Sequence, residues 1–201
     1  AMLVMDNASR AYAPEDILEA LSRTGLARAV VLSVPQPYGP ARSRVGPGAA
    51  KFLQPAMLNL ARLRYLRRAR AVLNVDIDEL VWSRAGSVFD MAVGSAAGVV
   101  AFGGEWRLPP PRAGAPHAHA DHTHRREGAG PCPTKYCIAP GGLLGRASWD
   151  VHRLALPLPA AAYGRRDLGY WHCRAITTDW KGHARLGRGG AGPHDASTAA
   201  A

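Results

Sequence analysis

Segments with the composition of buried strands alternate with segments of helical periodicity through the first hundred residues of this chain. We predict strands at residues 3–5, 29–34, 71–75 and 98–102, helices that begin at Pro14 and Pro55, and a short helix at residues 86–93. Such alternation is typical of sheets covered by helices on both faces, so the predicted fold class is α/β, a three-layer α/β/α arrangement around a mostly parallel sheet. Ligands of such sheets bind beyond the carboxyl ends of the strands, which is where Asp6 and Asp76 fall.

Two aspartates follow the apolar strand at residues 71–75 and are separated by Ile77 alone. Alternate side chains of an extended chain point to the same face, so we expect Asp76 and Asp78 to converge on one cation. Carboxylates with open positions for substrate phosphates suit Mg²⁺ or Mn²⁺, which neutralise the charge of a departing diphosphate. The triplet alone also fits a solvated turn or a helix cap. Its position after a strongly apolar strand, and the third acid Glu79, favour the metal site.

The acidic triplet is one of four patterns that occur in a fixed order along the chain. Residues 4–9 read Val-Met-Asp-Asn-Ala-Ser, residues 75–80 read Val-Asp-Ile-Asp-Glu-Leu, residues 135–140 read Lys-Tyr-Cys-Ile-Ala-Pro, and residues 170–174 read Tyr-Trp-His-Cys-Arg. In that order they resemble the V-D-N-x-S, D-x-D-E-[FL], K-x-I-x-P and late H-[YF]-R segments of glycosyltransferases of the GT-A fold. The closest resemblance is to the family 2-like and family 92-like groups, and it extends over roughly residues 3–181.

The resemblance implies a GT-A sheet that binds a nucleotide-sugar donor, with Mn²⁺ or Mg²⁺ as cofactor. The implied reaction is transfer of a sugar from a nucleotide-diphosphate sugar to a hydroxyl of a carbohydrate or glycoconjugate acceptor. Matched position by position, the residues it implicates are Asp6, Asn7, Asp76 and Lys135 for the donor, Asp76, Asp78 and His172 for the metal, and His152 near the donor or acceptor.

The chain departs from the family's pattern in two places. Arg10-Ala11 stand where the turn usually continues with Thr-Asp, at the position of one nucleotide contact. The strand that usually precedes the V-D-N strand is not included, so we expect either a fragment or a divergent protein with an incomplete donor site.

A base that accepts the proton of the acceptor hydroxyl must be a carboxylate or a histidine within hydrogen-bond reach of it. Glu105, which follows the predicted strand at residues 98–102, and Glu79 are candidates, and His152 is the third catalytic candidate. Glu105 also fits an ordinary loop carboxylate.

Proline, glycine and histidine dominate residues 104–133, and we predict a long loop there. Its histidines, His117, His119, His122 and His124, fit Zn²⁺, Ni²⁺ or Cu²⁺, a flexible loop with incidental metal affinity, or a lid on the acceptor side. We predict one glycosyltransferase-like domain over residues 1–186 and a flexible tail over residues 187–201.

The formal net charge of +10 permits nucleic acid, an anionic membrane or a phosphorylated substrate as partner. The arginines are scattered apart from a cluster at residues 62–70, which we interpret as the solvated face of a helix, so no specific nucleic acid is predicted. No transmembrane segment is visible, and three cysteines do not make a disulfide framework, so we expect a soluble cytoplasmic protein. The alternatives to a glycosyltransferase are another metal-dependent nucleotide enzyme, such as a nucleotidyltransferase, and a truncated, non-catalytic basic binding module.

Overall fold

The computed structural model describes residues 1–39, 52–110, 117–128, 130–156, 159–176 and 191–195. The chain divides into two compact units, Ala1–Ala61 and Arg62–Ala201. The helices are α1 (Pro14–Ser22), α2 (Leu53–Arg64) and α3 (Val88–Gly94). The strands are β1 (Met2–Asp6), β2 (Ala29–Ser33), β3 (Val72–Asn74), β4 (Glu79–Ser83), β5 (Val99–Leu108), β6 (His124–Arg126), β7 (Cys132–Ile138), β8 (Ser148–Trp149), β9 (Leu154–Ala155), β10 (Leu168–Cys173) and β11 (Ala191–His194). Within these ranges no helix has both the length and the apolar character needed to cross a bilayer.

The first unit contains a β-α-β arrangement in which β1 and β2 pair in parallel, with α1 between them in sequence. Pro14 opens α1, and Asp16 accepts a hydrogen bond from the backbone N–H of Ala13 at 2.7 Å, which fixes the start of the helix. Beyond α1, Gly25 has a positive φ of 71°, a conformation that glycine adopts without steric cost. The two predicted strands and the predicted start of the helix are confirmed.

In the second unit, seven strands form one sheet around the long strand β5. One edge of β5 pairs with β7 and, further along, with β6, while the other edge pairs with β10. Beyond these neighbours, β3 pairs with β7, β4 with β10, and β11 with β6. A separate two-stranded sheet consists of β8 and β9.

The core of the second unit lies where α3 packs on the sheet. Val88 and Ala92 of α3 are buried with Phe102 of β5 and Tyr170 of β10 in one apolar cluster. Gly104 lets the sheet accept the Tyr170 ring, because a Cβ at this position would stand 2.4 Å from that ring. The packing therefore requires glycine where β5 passes β10.

Two of the eight described strand pairings are parallel, β1 with β2 and β5 with β10, and the others are antiparallel. The chain is therefore mixed α/β, with a mixed sheet and few helices in the second unit, and the predicted class is confirmed. The three-layer, mostly parallel arrangement stays a prediction.

Regular structure extends into the segments that we predicted to be a loop and a tail. Within residues 104–133, β5 continues to Leu108, a 3₁₀ turn spans His119–Asp121, and β6 follows. Within residues 187–201, β11 pairs with β6. The parts of these predictions at residues 111–116, 129, 187–190 and 196–201 lie outside the described residues.

Candidate metal centre

The connection between β3 and β4 is a tight turn that carries the acidic triplet. The backbone N–H of Glu79 donates to the Asp76 carbonyl at 3.1 Å, and the backbone N–H of Asp76 donates to Glu79 Oε2 at 2.9 Å. This reciprocal pair of hydrogen bonds closes the turn. Asp76 and Asp78 therefore do not alternate along an extended strand, which was the basis for expecting them to converge, and their carboxylates face different partners.

Lys135 is the partner of the Asp76 carboxylate. Its side chain extends from β7, is fully buried, and places Nζ 2.8 Å from Asp76 Oδ2 and 2.9 Å from Glu79 Oε2. The Glu79 side chain is also buried, whereas that of Asp76 is 41% exposed. Burial raises the pKa of Glu79, and the nearby Lys135 ammonium opposes that rise without cancelling it. Because a buried ammonium requires charged or polar partners, this contact joins the turn to the centre of the sheet.

His172 is the partner of the Asp78 carboxylate. It lies opposite Glu79 in the register of β4 and β10, with its imidazole between two carboxylates. Nε2 is 3.1 Å from Asp78 Oδ2, and Nδ1 is 3.7 Å from Glu79 Oε1. Burial alone would raise the pKa of Asp78, but the hydrogen bond and charge of His172, with a contribution from Lys135, hold it below its ordinary value. The Trp106 ring packs on the imidazole, with 4.4 Å between the ring centroids.

One ligand atom from each of Asp78, Glu79 and His172 lies within 4.8 Å of the others, and no other such group occurs among the described residues. His172 Nδ1 is buried and makes no hydrogen bond within the described part of the chain. Nε2 faces Asp78 and Nδ1 faces Glu79, so an ion bound by Asp78 would take the lone pair of Nε2 in place of the present hydrogen bond. Two carboxylates and an imidazole fit Mn²⁺ better than Mg²⁺, which prefers an all-oxygen shell. We predicted Asp76 to be a metal ligand, but its carboxylate contacts Lys135 and does not belong to this group.

A short histidine segment, residues 117–122, lies beside the acidic turn. His119 Nε2–H donates to the carbonyl of Ile77 at 2.8 Å, in the middle of the triplet. His122 is fully buried: Nδ1–H donates to the Ala118 carbonyl at 2.9 Å, and Nε2 accepts from the backbone N–H of Ala175 at 3.1 Å. Both ring nitrogens of His122 are thus used in holding the segment in place. Sequence reasoning gave His119 and Ile77 no link, because no local pattern connects residues 42 positions apart.

The remaining catalytic candidates lie on other elements, Glu105 on β5 and His152 between β8 and β9. Glu105 is opposite Trp171 in the pairing of β5 with β10, while Trp106 is opposite His172. Because neighbouring side chains of a strand alternate between faces, Glu105 projects to the face opposite His172, where Arg107 and Arg125 contact it. The exposed His152 follows residues 150–151, whose carbonyls accept hydrogen bonds from the Asn74 side chain at 3.3 and 3.1 Å.

Asp6 and Asn7 belong to the first unit, where both side chains make local contacts. The Asp6 carboxylate accepts hydrogen bonds from the backbone N–H and the hydroxyl of Ser9. The Asn7 amide donates to the carbonyls of Val34 and Gln36, which follow β2. These contacts stabilise the polar turn after β1, and the assignment of Asp6 and Asn7 to a nucleotide donor stays a prediction.

Comparison with known proteins adds no family to this description: no family model and no curated protein matches the chain.

Proposed function

We propose that this protein is a metal-dependent glycosyltransferase of the GT-A type, which moves a sugar from a nucleotide-diphosphate sugar to an acceptor hydroxyl. The observation that carries the proposal is the pairing of Asp78 with His172 beside Glu79, because it unites the acidic motif with a histidine 94 residues away. Asp78 and His172 come from the segments 75–80 and 170–174, and the resemblance to glycosyltransferases implies that both residues bind the same metal.

In this proposal Asp78 and His172 hold Mn²⁺, with Glu79 as the third side chain at the ion. The bound metal neutralises the charge of the departing nucleoside diphosphate. Lys135 offsets the negative charge of Asp76 and Glu79, and this reduces the repulsion that a donor diphosphate meets at the turn. Glu79 is buried and contacts the Lys135 ammonium, so it suits a ligand or positioning role better than proton transfer from an acceptor.

The test is the thermal stability of the full chain with uridine, guanosine or thymidine diphosphate, each with and without Mn²⁺. A ligand that binds only the native state at about 100 times its Kd adds about 2.7 kcal/mol of stability. We expect one of these nucleotides to raise Tm in the presence of Mn²⁺ only, and Asp78→Asn and His172→Gln to abolish that rise. Glu127→Gln is the matched control, since Glu127 is an exposed carboxylate outside the cluster.

The outcomes separate the proposal from its alternatives. An unchanged Mn²⁺-dependent rise in the Asp78→Asn variant contradicts the site, and no rise with any nucleotide contradicts the function. Release of pyrophosphate from a nucleoside triphosphate, rather than of nucleoside diphosphate from a nucleotide sugar, identifies a nucleotidyltransferase instead.

A further inference from the structure

The end of α2 and the turn that follows it carry arginines without acidic partners among the described residues. In the cluster at residues 62–70, Arg70 pairs with Asp90, and Arg62 donates to the Arg146 carbonyl at 3.2 Å. The three others, Arg64, Arg67 and Arg68, are exposed and make no ion pair within the described part of the chain. They surround a cleft of about 270 Å³ together with Tyr65.

Large apolar side chains stand beside these arginines. Leu63 is 53% exposed and Tyr65 is 51% exposed. The Arg62–Arg146 hydrogen bond joins this turn to residues 143–146, where Leu143 is 79% exposed, the highest fraction among the large apolar side chains of the described residues. A single exposed apolar side chain is normal on a protein surface and indicates no binding site. Here several exposed apolar side chains lie among arginines that have no acidic partner in the described residues, so the surface is both basic and apolar.

We infer that this basic-apolar surface (Leu63, Arg64, Tyr65, Arg67, Arg68, Leu143 and Arg146) docks on an anionic phospholipid membrane. The arginines complement lipid phosphates, and a tyrosine suits the boundary between headgroups and acyl chains. The leucines select a membrane over a nucleic acid, because they gain burial in the acyl boundary and gain none on a phosphate backbone. The surface shares no residue with the metal centre, so membrane docking and nucleotide binding can fail independently.

The test is co-sedimentation of the full chain with phosphatidylcholine vesicles that contain or lack phosphatidylglycerol. We expect binding to the anionic vesicles only, weakened by salt, since screening shortens the reach of the arginine charges. Each arginine near the surface contributes about five-fold to partitioning, so the triple variant Arg64→Gln/Arg67→Gln/Arg68→Gln should bind on the order of 100-fold more weakly. The single Arg67→Gln variant, with about a five-fold loss, serves if the triple variant is unstable.

Two further variants make the test specific. Arg10→Gln/Arg28→Gln/Arg166→Gln removes the same charge from exposed positions outside the surface and should leave binding nearly unchanged. Leu63→Ser/Leu143→Ser keeps the charge and should lower binding about ten-fold, most visibly at high salt, where apolar insertion carries more of the affinity.

Four results overturn the inference. They are no binding to anionic vesicles, equal binding to neutral vesicles, an equal loss in the control triple variant, and no effect of the leucine substitutions. If the last result accompanies tight, salt-sensitive binding to a random-sequence oligonucleotide that the arginine variant loses, the surface binds nucleic acid instead.

Discussion

The acidic turns that follow β1 and β3 differ in the partners of their carboxylates. In the first unit, Asp6 ends β1 and accepts hydrogen bonds from Ser9, three residues further along. In the second unit, the two aspartates of the Asp-Ile-Asp turn meet Lys135 and His172, 59 and 94 residues further along. The carboxylate of the first turn thus accepts hydrogen bonds from its own segment, whereas the aspartates of the second turn also contact residues from distant strands of the sheet.

This difference separates structural acids from candidate functional ones. A carboxylate that accepts hydrogen bonds from the next turn of chain stabilises that turn and needs nothing else. The acidic triplet and Glu79 are instead gathered with a lysine and a histidine in a partly buried site, where charges are costly unless each is compensated. Such a concentration of ionisable groups is typical of a binding or catalytic site.

The largest effect should come from Lys135→Met, which removes the ammonium between Asp76 and Glu79. The Asp76 side chain is 41% exposed and can meet water, but the buried Glu79 carboxylate loses its opposite charge. Leaving a buried charge unpaired typically costs about 3–5 kcal/mol of unfolding free energy. Urea unfolding of the wild type and the variant measures this loss.

A double variant shows whether the cost arises from the unpaired charge. Glu79→Gln added to Lys135→Met removes both charges and should recover most of the lost stability, because eliminating a buried pair is far less costly than breaking it. If the double variant is as unstable as Lys135→Met alone, lost packing of the lysine chain explains the effect and the ion pair does not hold the turn.

Sequence reasoning succeeded where the controlling interactions are local. Pro14 opens α1 in the structure as predicted from the sequence, and Asp16, two residues further along, fixes the same end of the helix. It stopped β5 early because the pair Gly103-Gly104 interrupts the apolar pattern, although Gly104 is the position on which the Tyr170 ring packs. A contact between two distant strands was the reason for the glycine, and no short window of sequence contains that reason.

The candidate metal centre was likewise predictable only where local motifs indicate it. Motifs in the sequence identified the acidic triplet and His172. They did not indicate that Glu79, rather than Asp76, would join Asp78 and His172 in the candidate metal centre. That difference depends on Lys135, which binds Asp76 and Glu79 while β4 places Glu79 opposite His172. Strand register and a buried charge decide this arrangement, and both follow from the tertiary fold.

A smaller effect is expected from Asp6→Ala in the first turn. The variant removes the acceptor for the Ser9 backbone N–H and hydroxyl, and hydrogen bonds to a charged group contribute about 1.5–3 kcal/mol. Thermal unfolding should show that loss, whereas the affinity for Mn²⁺ alone should stay at the wild-type value because Asp6 supplies no atom to the ligand group. A lower Mn²⁺ affinity would contradict the division between the two turns. Ser9→Ala, which removes only the hydroxyl, is the milder control.

The smallest effect concerns His122, which fixes the histidine segment next to the second turn. Burial lowers the pKa of His122 below its ordinary 6.5, and Nε2 accepts from Ala175, so the ring is neutral in the native state. A histidine whose pKa is depressed by folding contributes stability that is present above the unfolded pKa and is lost as pH falls towards the folded value. Acid should therefore destabilise the wild type through this residue from about pH 6.5 downwards.

His122→Gln isolates that titration, because a glutamine oxygen can replace Nε2 as the acceptor for Ala175 while carrying no titratable group. At about pH 7.5 the variant should be less stable by about 1 kcal/mol, since the bond from Nδ1–H to the Ala118 carbonyl is lost. As pH falls below about 6.5, the wild type alone loses stability at this residue, so the difference between the two urea midpoints should narrow. A difference that stays constant with pH would show that His122 is not held neutral, and the attachment of the segment beside Ile77 would then need another cause.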